Sequence, residues 1–320
     1  VEYRKETYKI AAGDDASIAT GPTFAQFGVG SDGFQGFPTD SAGSFDSDSI
    51  AGYIDLEADV TDNFSAGAAI RVEDYDNFGN TFDGKLAGRL QVTDTFALRA
   101  TMNTGFRAPT PGQVNTLNVT TSSDSAGNLI PFGTYPVSHP IALALGSRPL
   151  DPEESTSFTI GGIFEVSETT SITVDVYNIR IKDRLTILEN EIGPDEVDLL
   201  TDAGIPNAAL LEGSTANFFV NGFESDIFGI DLAVNSVFDV GPGSLAMDFR
   251  ANFNDQEVKK VTPGTLNAAT VYDFENQVPN ERVNLTFDYQ SDSPLSGIVR
   301  LNYYGGWGDS GGQLAAGDNS

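Results

Sequence analysis

Hydrophobic and polar residues alternate along most of this chain, and the alternation is clearest between Phe82 and Gln113. From Phe82 to Val92 every second residue is apolar or glycine, and the residues between them are mostly polar or charged. After a turn at Thr93-Asp94-Thr95 the alternation resumes at Phe96. Side chains of a β-strand point alternately to its two faces, so this stretch predicts a hairpin of two strands.

The arms of this predicted hairpin are long. Each keeps its alternation for about a dozen residues, whereas strands of soluble domains usually run about 5 to 6 residues. A transmembrane β-strand needs roughly 9 to 11 residues. In a membrane barrel the apolar side chains face lipid and the polar ones line the lumen. We therefore predict an all-β fold, an antiparallel transmembrane β-barrel.

The same pattern recurs along the chain and predicts 11 strands. Short turns near residues 61, 94, 168, 242 and 293 all fall at one end of the predicted sheet. The long loops fall at the other end: 11–47, 109–151, 189–215 and 261–280. This arrangement is typical of bacterial outer-membrane barrels. An odd number of antiparallel strands cannot close on itself, so we expect residues 1–320 to be an incomplete barrel domain.

Two local features refine this picture. Between residues 171 and 188 the apolar positions change phase, from Ile172, Val174 and Val176 to Tyr177 and Ile179. Either a β-bulge or a strand that leaves the lipid band would explain the change. Within the third long loop, proline at position 194 followed by acidic residues and then glycine at position 204 predicts a short helix.

Charge and composition narrow the function. The chain has 17 Lys and Arg against 46 Asp and Glu, a formal net charge of −29, which argues against binding nucleic acid or anionic surfaces. Much of the acid lies in the predicted loops, where it serves solubility or attracts cationic or metal-bearing ligands. There is no Cys, and the one His, His139, lies in a loop, where such a residue is more often structural than a metal ligand or general base. We expect no enzyme activity, no cofactor and no metal site.

Five segments carry a family resemblance. Residues 97–113, ALRATMNTGFRAPTPGQ, resemble a barrel segment of TonB-dependent outer-membrane receptors that contains GFRAP. Four later segments resemble the same family in the same order: LDPEESTSFTIGGIFEV, DVYNIRIKDRL, ANFFVNGFESDIFGIDL and RLNYYGGW. The resemblance implies a barrel of about 22 strands with a plugged lumen, of which this chain would supply about 11. Because the chain starts at Val1 and shows neither plug nor coupling box, we expect a fragment of a longer precursor. By the resemblance, residues 1–320 are a barrel domain that is incomplete at both ends and also lacks the last strands.

By this resemblance, the function is TonB-dependent active uptake of a scarce small-molecule ligand, such as a siderophore-like metal chelate or a saccharide. The implied partners are outer-membrane lipid and an energy-coupling complex of the inner membrane, reached through the missing N-terminal region, and the implied location is the cell outer membrane of a Gram-negative bacterium. A monomer without nucleic-acid partners is expected. The alternatives are a passive porin-like or structural barrel, which would have no plug, and a soluble acidic β-sandwich, which would need no detergent.

The predicted sites follow from the alternation. One set of basic residues should face the lumen and pair with carboxylates of neighbouring strands. Such pairing favours a wall-stabilising network over direct ligand contact. The set comprises Arg71, Lys85, Arg89, Arg99, Arg107, Arg250 and Arg282. Candidate ligand contacts are aromatic residues of the long loops: Phe34, Phe37, Phe132 and Tyr135.

Overall fold

The computed structural model describes residues 1–15, 37, 39–123, 129–291 and 293–311. Eleven strands form one open antiparallel sheet, in which each strand pairs with the next along a single path. In order these are β1 (Glu2–Ile10), β2 (Gly43–Thr61), β3 (Phe64–Tyr75), β4 (Gly79–Thr93), β5 (Phe96–Arg107), β8 (Glu153–Ser167), β9 (Thr170–Glu191), β10 (Thr215–Val240), β11 (Gly243–Val261), β12 (Glu281–Ser291) and β13 (Ser296–Tyr304). The predicted fold class and the predicted order of long and short connections are confirmed.

The long connections carry the remaining elements. Between β5 and β8 lie α1 (Pro111–Asn115), the hairpin of β6 (Asn118–Ser123) and β7 (Leu129–Thr134), and α2 (Pro140–Ala144). Between β9 and β10 lie α3 (Pro194–Asp202) and a 3-10 turn (Ala208–Leu211), and between β11 and β12 lies α4 (Ala268–Asn276). No helix among the described residues is long and apolar enough to cross a membrane.

One face of the sheet is apolar across nearly all strands. The register places Leu56 opposite Ala68, Ala68 opposite Leu86, Leu86 opposite Met102, and Met102 opposite Phe158. Because directly opposite residues share a face, this row continues without a break through the neighbouring strands. Later members of the same face include Val174, Leu232, Ala251, Val283 and Tyr303. Many of its large side chains are exposed, as expected for a face that packs against no other layer of the described residues.

The apolar face has a defined height. On β10 it extends from Phe228 to Phe238, ten residue steps or about 34 Å along the strand. A strand tilt of about 40° converts this length to about 26 Å, close to the band of about 25 Å found on outer-membrane barrels. Above this band, on β9, the same face becomes Asn178, Arg180 and Lys182. The pairing of β8 with β9 runs from Glu154 to Glu165 without a register shift, so the phase change is the strand leaving the band and not a bulge.

The main buried cluster lies at the loop end of the sheet, where the long connections pack against the start of β10. The β6–β7 hairpin reaches past β8 and β9, and β7 pairs in parallel with the start of β10, with Phe132 opposite Thr215. Side chains from β10, α2, α3 and the 3-10 turn pack there into one cluster. It consists of Val119, Tyr135, Ile141, Ala142, Ile192, Leu200, Ala208, Leu211, Ala216 and Phe218. This cluster makes the long connections of β5 and β9 one packed layer at the loop end of the sheet.

Several element boundaries differ from the sequence predictions. The first loop is shorter than predicted, because β2 begins at Gly43, where it pairs with Ile10, although its first residues are polar. The β6–β7 hairpin, α1, α2 and α4 were not predicted, since short elements inside loops carry too few residues for a periodic signal. The predicted helix after position 194 is confirmed as α3, and Gly204 follows it with φ of 76°.

Candidate functional site

The polar face of the sheet is concave, since side chains from β5 and from β9 to β13 line a single cavity of about 680 Å³. Its lining is mainly charged residues and amides, and Arg99 on β5 and Tyr304 on β13 both contribute to it. The principal polar members are Arg99, Asp175, Asp231, Arg250, Asn252, Arg282 and Asn284. Such a surface offers many hydrogen-bond donors and acceptors and suits binding better than bond-making chemistry.

Arg99 crosses a whole strand to reach its partner. Its Nε donates to Asp175 Oδ1 at 2.9 Å, and its second guanidinium nitrogen also contacts that carboxylate. Arg99 lies on β5 and Asp175 on β9, and the residue between them on β8 is Gly161. A Cβ at Gly161 would overlap the Asp175 carboxylate and approach Val174 O within 2.8 Å. The glycine therefore leaves the space in which the ion pair forms.

A second glycine serves the same purpose two strands away. The ring of Tyr177 on β9 lies across Gly229 on β10, where any Cβ would overlap the ring. The Tyr177 hydroxyl thereby accepts a hydrogen bond from Asn252 Nδ2 on β11 at 3.1 Å, and the same amide nitrogen lies 2.7 Å from Asp231 Oδ1. Side chains of three neighbouring strands are thus connected along the concave wall.

Three other predicted arginines also have carboxylate partners. Arg71 donates to Glu73 at 2.8 Å and to Glu2 at 3.1 Å. Arg250 contacts Asp248 at 2.7 Å, and Arg107 lies 3.5 Å from Glu153. All of these side chains lie on the polar face. Whether any of them contacts a ligand stays a prediction.

The remaining predicted charges have different surroundings. Lys85 is exposed on β4, opposite Ala69 and Asn103. Arg89 donates to Gln91 at 2.6 Å and lines a second cavity of about 350 Å³ together with Glu57 and Asp59. Arg282, on β12, lines the cavity of about 680 Å³ described above. The seven predicted residues therefore do not form one cluster, because the wall spreads them over five strands.

Sequence reasoning missed a cluster at the upper rim of the wall. Arg184 on β9 donates to Ser225 Oγ at 2.9 Å, and its guanidinium carbon lies 5.3 Å from the Phe223 ring centroid and 4.5 Å from that of Phe274. Phe274 belongs to α4. Two register shifts, next to Asp183 with φ of 53°, turn Arg184 onto the polar face. A period-two pattern cannot reveal this, since an irregularity in register changes the face of every later residue.

The predicted aromatic contacts have distinct positions. Phe34 lies outside the described residues. Phe37 is partly buried, and its carbonyl accepts a backbone hydrogen bond from Gly13 at 2.9 Å. Phe132 is partly buried on β7, whereas Tyr135 is only 5% exposed within the loop core. Their role in ligand contact stays a prediction.

Tyr135 and His139 stabilise the loop layer. Their rings lie 4.8 Å apart, and His139 Nδ1 accepts a hydrogen bond from Ile141 N at 3.2 Å at the start of α2. Burial lowers the pKa of His139 below its ordinary value of 6.5 and raises the pKa of Tyr135, because both charged forms lose hydration. His139 is therefore held in the neutral form that can cap the helix. Among the described residues no group of three or more His, Cys, Asp and Glu could hold a metal ion.

Comparisons with known proteins agree with this architecture. Residues 2–319 match the family model described as TonB dependent receptor-like, beta-barrel. No curated protein sequence matches the chain. Among solved structures, the siderophore receptor PirA from Acinetobacter baumannii is similar at 15% identity and a TM-score of 0.58, covering 95% of this chain and 38% of that one. The ferric enterobactin receptor PfeA from Pseudomonas aeruginosa, as a Q482A mutant in complex with enterobactin, is similar at 11% identity and a TM-score of 0.61, with the same coverage.

The sheet is open and antiparallel, with one apolar face and one polar, concave face. Its long loops lie at one end and its tight turns at the other. A sheet of this kind is part of the wall of a β-barrel. The chain belongs to the TonB-dependent receptor family, over its β-barrel domain. It spans 38% of the length of the solved receptors PirA and PfeA cited above. Barrels of this family reside in the outer membrane of Gram-negative bacteria and act in transport and as receptors.

Proposed function

We propose that this chain is part of the wall of an outer-membrane receptor for TonB-dependent active uptake of a scarce ligand, and that the ligand is a siderophore-like metal chelate. The observation that carries the proposal is the concave polar wall beneath a packed loop layer, in a chain of this family. The similarity in fold to PirA and PfeA supports a chelate over a saccharide.

In this proposal the apolar face lies against membrane lipid, and the concave face lines the lumen. The charged residues predicted from the sequence then face the lumen, and the partners of Arg71, Arg99, Arg107 and Arg250 suit a wall-stabilising role. Phe37 and Phe132 are the better candidates for ligand contact, since both are only partly buried, whereas the buried Tyr135 ring supports the loop layer. Energy for uptake would come from a coupling complex of the inner membrane.

The test is uptake by living cells that make the protein as its own gene encodes it. Iron-depleted cells would receive radioactive iron as the ferric complex of enterobactin, of a hydroxamate or of citrate, in separate assays. Active import predicts saturable accumulation of at least one complex, lost when the gene is deleted or when a protonophore collapses the proton-motive force.

The alternative is a passive porin-like barrel, and the same assay separates the two. Passive entry would remain when the proton-motive force is collapsed, and it would not saturate at low ligand concentration. Saturable, protonophore-sensitive uptake of a saccharide without any uptake of iron would retain active import and replace the chelate as the ligand.

A further inference from the structure

We propose that Arg184 binds an oxyanion group of the ligand, such as a carboxylate or a catecholate, beneath α4. This inference rests on the proposed function, because it names a chemical feature of the ligand that the receptor takes up. It concerns a residue that the alternating sequence pattern does not identify.

The first observation is an imbalance of charge. Within the described chain three arginines are partly buried: Arg71, Arg99 and Arg184. Glu73 and Glu2 neutralise Arg71, and Asp175 neutralises Arg99. Arg184 has no carboxylate within 4.0 Å among the described residues. Removing a cation from water is costly unless an anion accompanies it, so this position is the exception that needs an explanation.

The second observation is the way in which Arg184 is held. It lies against the rings of Phe223 and Phe274, which make a T-shaped pair 4.9 Å apart. Ser225, which is fully buried, accepts its one hydrogen bond to the described chain. Aromatic faces attract a guanidinium but accept few hydrogen bonds, so most of its five N–H donors are left for a ligand. The group is fixed in place and still able to donate.

The third observation is that Glu153, the carboxylate whose charge acts on Arg184, is already engaged. Glu153 accepts a hydrogen bond from Leu185 N at 2.8 Å and lies 3.5 Å from Arg107 Nη1. One carboxylate thus faces two guanidinium groups, Arg107 and Arg184, which leaves a local excess of positive charge. This excess stands out in a chain with a net charge of −29. An oxyanion would balance it and could accept paired hydrogen bonds from a guanidinium.

The position of α4 completes the site. Two hydrogen bonds fix this helix on β11. Gln256 Nε2 donates to Phe274 O at 2.7 Å, and Glu275 accepts a hydrogen bond from Val258 N at 2.8 Å. These bonds hold Phe274 over Arg184 before any ligand arrives. A site whose parts are already ordered loses less entropy on binding.

The first experiment measures binding of ferric enterobactin to the purified full-length protein. Arg184→Gln should raise the Kd about 10-fold or more, since a charge-assisted hydrogen bond is lost. Arg184→Lys should recover part of the affinity, because it restores the charge without the planar group. The matched control is Arg180→Gln, on the same strand but on the opposite face and paired with Asp226, which should bind as the wild type does. Equal affinity of Arg184→Gln and the wild type would overturn the proposal.

The second experiment needs no mutation and no chelate. Phenylglyoxal, which modifies accessible arginine side chains, would be applied to the wild-type protein with and without citrate, and modification located by mass spectrometry. Citrate should slow modification of Arg184 and leave Arg180 unchanged. An equal rate at Arg184 with and without citrate, or no modification there at all, would contradict an open oxyanion site.

The two proposals fail in different ways. If the wild type binds no ferric chelate while citrate protects Arg184, the proposed ligand is wrong and the oxyanion site stands. If the chelate binds equally to the wild type and to Arg184→Gln, the oxyanion site is wrong and receptor function stands.

Discussion

At the scale of single residues, small side chains decide which polar groups meet on the concave wall. Arg99 and Asp175 lie two strands apart, a separation of about 9.6 Å across the sheet. They meet only because Gly161 leaves the intervening position empty. Gly229 does the same for Tyr177 and Asn252. The glycines of this wall therefore position charged and aromatic side chains on other strands.

We expect Gly161→Val to destabilise the protein by about 1 to 3 kcal/mol, because the new side chain overlaps the Asp175 carboxylate and breaks its contact with Arg99. The denaturant midpoint of the protein folded into lipid vesicles measures this effect. Gly52→Ala is the control, since a Cβ at Gly52 has no atom within 4 Å. A Gly161→Val midpoint equal to that of the control would show that the Arg99 bridge adds little.

At the scale of elements, the outward face of a strand is apolar and its inward face polar only within the apolar band. Below the level of Val176 the outward face of β9 is apolar, and above it the outward face is polar while Ile179 and Ile181 turn inward. The loop core continues this inward apolar surface, with Ala216 and Phe218 on β10. Within the band the apolar side chains lie on the outward face of the strand. Above the band they lie on its inward face, next to the loop core.

The two faces of β5 should respond differently to charge. Leu98→Arg places a cation on the apolar face and should cost roughly 2 to 4 kcal/mol near the middle of the bilayer, whereas Thr101→Arg on the polar face should have little effect. Folding yield and stability in lipid vesicles measure both. Equal losses in the two variants would contradict the assignment of the apolar face to lipid.

At the scale of the whole molecule, charge is sorted by position. Of the 17 Lys and Arg residues, all of which are described, Arg148 alone lies outside the strands. The loops instead carry acid, such as Asp195, Glu196 and Asp198 around α3 and Glu275 on α4. The loop end therefore has a negative field, while cations such as Arg184 lie on the wall below it. An anionic ligand would meet repulsion first and attraction afterwards.

The association rate of an anionic chelate should consequently rise with salt. Ions screen the repulsion between the acidic loops and the ligand, so the rate constant for ferric enterobactin should be higher at about 500 mM salt than at about 50 mM. Stopped-flow binding to the purified protein measures it. A rate that falls as salt increases would show that the wall cations, and not the loop acids, control the approach of the ligand.

The sequence by itself determined the class of fold, the two faces of the strands and the end at which the long loops lie. These features repeat along the chain, and a period of two residues records them locally. Arg71, Arg99, Arg107 and Arg250 could for this reason be predicted on one face, and the family segments identified the receptor class.

Tertiary structure alone decided which polar groups meet. The partners Arg99 and Asp175 are 76 residues apart, and only the register of three strands brings them together. Arg184 depends on two register shifts and on α4, an element too short to give a periodic signal. The loop core likewise joins residues from Val119 to Phe218. Alternation specifies the face on which a side chain lies, whereas register and loop packing specify its neighbours, because these depend on contacts between segments far apart in sequence.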